Sequence, residues 1–125
     1  MDITPLIPKG QQVIQAYGDG GFRISGIRHD GSVLVFLDRT LAWPVTSLAD
    51  VDAASLQAVL EAEPKVELLL LGCGRQMVPV PASLRRALKA AGIVLEMMDT
   101  GAACRTYTVL LTEQRRVAAA LIAVP

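Results

Sequence analysis

The sequence predicts an α/β domain, a covered and layered sheet with an antiparallel strand portion at the N-terminus and a βαβα C-terminal half. Three observations predict it. Short β-type runs separated by Gly- and Asp-containing turns fill residues 13–37. From residue 66 onward, apolar runs alternate with segments of helical periodicity. The hydrophobic fraction of 52% is high for a globular chain and suits a sheet with both faces covered. At 125 residues the chain is long enough to bury one core, which gives a single domain over 1–125.

The first expected strands are VIQAYG (13–18), FRISG (22–26) and SVLVFL (32–37), separated by turns at Gly18-Asp19-Gly20-Gly21 and His29-Asp30-Gly31. Phe22, Ile24 and Gly26 alternate with Arg23 and Ser25, the period of a half-buried strand. Leu41 to Val45 carries Trp43 and is interrupted by Pro44, which predicts a sheet edge or an extended loop. Asp52 to Ala62 reads as a helix capped by Asp50 or Asp52 and ended by Pro64. VELLLLG (66–72) is an expected buried strand, followed by a helix from Pro81 to Ala91 that stops at Gly92. IVLEMMD (93–99) is again a strand, parallel to the first through a right-handed crossover. A long final helix is expected to present Tyr107, Leu110, Leu111, Val117 and Leu121 on one face.

Composition excludes several functions. Twelve basic and twelve acidic side chains leave no basic stripe, so nucleic acid is not an expected partner. The segment MDITPLIPKG lacks the pattern of a secretion signal, and no apolar run is long enough to span a bilayer, so an integral membrane protein is not expected. Two cysteines, Cys73 and Cys104, are too few for a disulfide scaffold and fit a reducing, cytoplasmic setting.

The stretch LLLLGCGRQMVPVP (68–81) resembles a strand feeding a ligand-cradling loop. A dinucleotide fingerprint would need a third glycine where Met77 stands, and Pro79 and Pro81 delay the helix. A P-loop would need a following Gly-Lys-Ser/Thr, which is missing. What remains is position, because the loop leaves the carboxyl end of a parallel strand, where ligands of open α/β sheets lie. The second exit, Asp99 to Thr106, leaves the neighbouring strand. A crevice between residues 72–77 and 99–107 could gather Gly72, Cys73, Gly74, Arg75, Thr100, Gly101, Cys104, Arg105 and Thr106, with the amides of Ala102 to Arg105 holding an anion. The alternative is structural: Gly72 and Gly74 permit a tight turn, Thr100 caps the last helix, and both cysteines are packed hydrophobes.

Catalytic templates are thinly represented. His29 is the one histidine available as a base and falls in an expected turn, while Cys104 could be activated without it by a helix N-terminus. No CxxC or HxxxH spacing is present, so neither a metal nor a cofactor is expected. The acidic pairs Glu61/Glu63 and Asp50/Asp52 sit at helix ends. Glu113 with Arg115 and Arg116 is either a solvated pair or a bridge to a neighbouring subunit or loop.

LLLLGCGRQ, the helix ending KAAGI, EMMDTGAACRTY and TEQRRVAAALI, together with YGDGGFRISGIRHDGSVLV, resemble a small Mth-type domain family. That family includes mitochondrial respiratory complex I assembly factor three, adipogenesis-associated domain proteins and many bacterial proteins. The resemblance spans nearly the whole chain. It implies a three-layer α/β fold around a mixed central sheet, with a small antiparallel portion. The family-motif positions carried over are Gly72, Gly74, Thr100, Ala103, Thr106, Tyr107, Glu113 and Arg115. Thr108 departs from the Asn of the pattern, and Gln114 replaces a Gly, a loss expected to make the final helix more regular. Together these readings predict a cytoplasmic, non-catalytic interaction or assembly module that associates with itself or with unidentified protein partners. The rival is a small-molecule or anion binder, or an enzyme, using Arg75, Thr100, Cys104, Arg105 and Thr106.

Overall fold

The computed structural model describes residues 10–75 and 79–125. Among these residues, eight strands and three α-helices follow in the order β1 (Ile14–Gly18), β2 (Gly21–Ile24), β3 (Ile27–Asp30), β4 (Ser32–Val35), β5 (Thr40–Trp43), α1 (Gln57–Leu60), β6 (Leu68–Gly72), α2 (Ala82–Ala90), β7 (Val94–Met98), α3 (Thr100–Thr112) and β8 (Val117–Leu121). Strands β1-β2-β3 form an antiparallel sheet, and the central sheet has the order β5-β4-β8-β6-β7. It is mixed: β6 is parallel to β7 and β8, while β4 is antiparallel to β5 and β8.

Strand β6, all buried, explains the run of leucines. Leu69 and Leu71 enter the core under α1 and α2, and Leu68 and Leu70 enter the core under α3 and the small sheet. A strand covered on both faces has no polar alternation. Burial of each Leu contributes about 1.5–3 kcal/mol. The layers are therefore α1 with α2, the central sheet, and α3 with the small sheet.

Three expectations are corrected. The His29-Asp30-Gly31 turn shrinks to Gly31, because His29 and Asp30 belong to β3, which pairs with β2. The turn that precedes β3 is Ser25-Gly26, whose φ values of 48° and 82° suit a two-residue hairpin. The 52–62 helix is reduced to a 3₁₀ turn and the single turn α1. There Asp52 Oδ1 accepts the Ser55 amide at 2.8 Å and Ser55 Oγ accepts the Asp52 amide at 3.0 Å, a reciprocal cap.

The largest correction concerns the final helix. It ends at Thr112, and Val117–Leu121 is a fully buried strand at the centre of the main sheet. Val117, Ala119 and Leu121 serve one core layer while Ala118 and Ala120 serve the other. A five-residue buried run reads equally as helix or strand from periodicity alone, and partners on both sides decide for the strand. Gln114, where the family pattern has Gly, adopts φ +58° at the stop. Of the Leu41–Val45 segment, Leu41 to Trp43 lie in the edge strand β5, which stops before Pro44, and the Trp43 indole donates to Ser55 O at 2.8 Å.

Candidate functional site

Strands β6 and β7 end side by side, in register from Leu68↔Val94 to Gly72↔Met98. Their exits are joined by hydrogen bonds. The Cys73 amide donates to Met98 O at 2.8 Å, and the Thr100 amide donates to Gly74 O at 3.0 Å. The Thr100 hydroxyl accepts the Gly74 amide at 2.9 Å and donates to Ile122 O at 2.7 Å. Thr100, fully buried, thus pins both loops to the chain just beyond β8. Gly72 is required by close approach: a Cβ there would lie 3.0 Å from Leu121 Cδ2 and 3.1 Å from Thr100 Cα. Gly74 has φ +83°, which favours glycine.

Thr100 is the first residue of α3, and its cap is Asp99, whose carboxylate accepts the Ala102 amide at 2.9 Å. The helix start therefore carries an anion of its own, placed where the dipole favours it. Arg75 is exposed and shares a shallow concavity with Asp99, Gly101 and Tyr17. Arg105 is also exposed, but it lines a second concavity with Gln15, Cys104 and Thr108. Tyr17 borders both. Its phenol lies over Gly101, where any Cβ would collide with the hydroxyl. Half-buried Thr106 lines neither concavity, since helical spacing turns it to the opposite flank from Thr108. Gln76 and Met77, at the far end of the expected crevice, lie outside the described residues.

The two cysteines do not meet. Cys73 belongs to the core under α1 and α2, and Cys104 to the core under α3, on the other face of the sheet. Both are free and buried. Burial pushes the Cys104 thiol up to about 12, with Arg105 opposing only in part, and burial also raises Cys73. Neither sulfur is a thiolate near neutral pH, and the thiolate is the nucleophile. His29 stands on β3 opposite Phe22, in the small sheet. Among the described residues, no group of three His, Cys, Asp or Glu side chains is placed to hold a metal ion. No helix among them is long and apolar enough to cross a membrane.

A separate cavity of about 160 Å³ opens at the other end of the sheet, by the starts of β6 and β8, with Phe36, Ala62, Val66 and Val117 among its lining. Its walls come from three segments far apart in sequence, 36–39, 62–66 and 116–117, so no local pattern marks it. Tyr17 and Asp99 were also missed. The signal for Asp99 was its place directly before Thr-Gly-Ala-Ala, an N-cap position that Asp fills well.

Residues 14–122 match the family described as a protein of unknown function, DUF498/DUF598. The chain belongs to this family. A relative in Rhodobacter capsulatus, an uncharacterized protein, is 40% identical over 116 residues, covering 93% of this chain and 88% of its own length. Assembly factor 3 of the NADH dehydrogenase (ubiquinone) 1 alpha subcomplex from Danio rerio is 38% identical over 90% of this chain, which spans 65% of that protein. Among solved structures, one described as an outer membrane protein from Bartonella henselae superposes with a TM-score of 0.86, at 38% identity, over 96% of this chain and 100% of its own. The Mth938-like domain of Bordetella pertussis gives 0.81 at 30% identity, over 98% and 92% of the two chains. These likenesses place the DUF498/DUF598 chain among Mth-type domains, together with the NADH dehydrogenase assembly factor.

Three motif positions of the DUF498/DUF598 chain acquire structural roles. The Tyr107 hydroxyl lies 3.2 Å from Gln12 O and 3.4 Å from Phe36 O, tying α3 to the lead segment and to the end of β4. Glu113 caps the end of α3, and the Arg115 amide donates back to Leu110 O at 3.4 Å. Glu113 pairs with neither Arg115 nor Arg116 among the described residues; Arg116 instead approaches Glu67 at 3.9 Å, with both side chains solvated. Such a pair is worth little. Thr108 bonds back to Cys104 O at 3.2 Å.

Proposed function

We propose that this chain is a non-catalytic interaction module of the assembly-factor kind. It acts in the cytoplasm as one domain over residues 1–125 and binds protein partners, a second copy of itself among them. The observation that carries this reading is the engagement of the candidate site in its own architecture. Thr100 bonds to Gly74 and Ile122, Asp99 accepts the Ala102 amide in the first turn of α3, and both thiols are free and buried, with burial raising their pKa. The 38% identity to an NADH dehydrogenase assembly factor, over 90% of this chain, supports the same reading. Two free, buried cysteines suit a reducing compartment.

Native mass spectrometry of the untagged protein purified from its own cells tests the proposal, with denatured spectra alongside. The expected result is co-purifying protein chains in fixed stoichiometry, unchanged by Arg105→Ala. A bound small molecule that is lost on Arg105→Ala would overturn it. Fractionation of the same cells checks the compartment.

A further inference from the structure

The central sheet has two open ends, and the small sheet has two more. Three of these four edge strands are protected against pairing with another chain. Strand β1 lies along α3, with Ile14 in the core they share. Three of the four residues of β3 are Arg28, His29 and Asp30, and β5 is followed by Pro44. Natural sheets blunt their edges by such devices, because an open edge is a template for a further strand. Strand β7 is the least defended of the four, with one charge, Glu96, and no proline within it or directly after it. It is a regular five-residue strand, Val94-Leu95-Glu96-Met97-Met98, with no strand paired to its outer side among the described residues.

The direction of its backbone groups can be read from two hydrogen bonds. The Val94 amide donates inward to Glu67 O at 2.9 Å, and Met98 O accepts inward from the Cys73 amide at 2.8 Å. In a parallel pair these groups alternate along the strand, so those of Leu95 and Met97 point to the open side. On the face toward α3, Val94 is 58% exposed and Glu96 is exposed, without an ion-pair partner among the described residues. On the other face, Leu95 and Met97 are half-buried against the α2 layer.

We propose that β7 is the docking edge, taking up an extended segment of a partner protein as a sixth strand. This rests on the assembly-factor reading above and specifies how that partner is held. Charge complementarity fixes the chemistry of the segment. It carries Lys or Arg opposite Glu96, and apolar residues two positions to either side, against Val94 and Met98. A second copy fits less well, because two-fold pairing centred on the strand sets Glu96 against Glu96, and like charges directly opposite are destabilising. Main-chain bonds to Leu95 and Met97 would supply affinity, and the Glu96 face would supply selection.

The test uses the full chain, labelled with ¹⁵N, and two capped heptapeptides: Thr-Val-Thr-Lys-Thr-Val-Thr and its twin with Glu in place of Lys. The Lys peptide is expected to slow amide exchange at Leu95 and Met97 and to bind roughly threefold or more tighter than the Glu peptide. In Glu96→Lys, a change at an exposed position, the preference should reverse. Equal affinity for both peptides would overturn the proposal, as would protection mapping to β3 or β5, or no binding up to the solubility limit. Concentration-dependent protection of Leu95 and Met97 without peptide, with dimers on sedimentation, would overturn it in favour of a second copy. A partner that co-purifies while both peptides fail removes only the β7 edge. Absence of any partner removes the assembly reading instead.

Discussion

Helices α2 and α3 end in the same pair of backbone hydrogen bonds, made by different residues. At the end of α2, the Gly92 amide donates to Lys89 O at 3.0 Å and the Ile93 amide to Leu88 O at 2.9 Å. At the end of α3, the Gln114 amide donates to Leu111 O at 3.2 Å and the Arg115 amide to Leu110 O at 3.4 Å. Both are Schellman stops, with the pivotal residue in the left-handed region at φ +76° and +58°. The first has the glycine that conformation favours and a buried Ile after it; the second has Gln and an exposed Arg. A stop written in local sequence and a stop imposed from outside can therefore have the same geometry. What imposes the second is β8, whose pairing with β4 and β6 requires the chain to leave the helix.

The strongest way to break this comparison is to loosen β8. Thr100→Val leaves the Gly74 amide, in the loop after β6, and Ile122 O, just beyond β8, without their buried partner. Each of the two orphaned groups costs about 1–3 kcal/mol, so urea melts should show a loss of roughly 2–6 kcal/mol. A change below about 1 kcal/mol would mean that Thr100 does not hold β8 in place. Gly92→Gln rewrites the first stop in the manner of the second. Without an outside force of equal strength on α2, it should cost about 1–2 kcal/mol. The reverse exchange, Gln114→Gly, relieves strain and should stabilise by about 0.5–1 kcal/mol, seen as a higher melting temperature.

A pH experiment sharpens the contrast between the layers under the two helices. The Cys104 thiol titrates near 9 when unfolded and near 12 when folded, because burial disfavours the thiolate. Its contribution is present below pH 9 and is lost as pH rises toward 12, since the unfolded chain releases its proton first. Denaturant midpoints measured from pH 8 to 11 should fall, and Cys104→Ala should flatten the fall more than Cys73→Ala does. Equal flattening by the two would place the thiols in equivalent surroundings.

Much of the fold was legible because local and tertiary preferences agree. Gly18-Asp19-Gly20-Gly21 turns, β6 is the buried strand, α2 runs between Pro81 and Gly92, and β7 is parallel to β6. Val117–Leu121 was not legible, because AAAL has no strand signature of its own and Gln114 gives no stop signal. Tertiary pairing overrode propensity there. The candidate site was legible as a place and not as a set. The two exits do meet at Gly74 and Thr100, but alternation along β6 and the turn of α3 send Cys73 and Cys104 to opposite faces of the sheet.

The central position of β8 also sets an order of events. The β4–β5 hairpin and the β6–α2–β7 unit can each form from nearby chain, whereas the two halves join only through a strand that follows both. Ser32 and Ala123, hydrogen-bonded at 3.0 Å, are 91 residues apart in sequence. Closing so long a loop comes before any reward from pairing, which makes the joining step the slow one in folding. Until it occurs, β4 and β6 each present a bare inner edge, and the chain is most exposed to pairing with a neighbour in that interval.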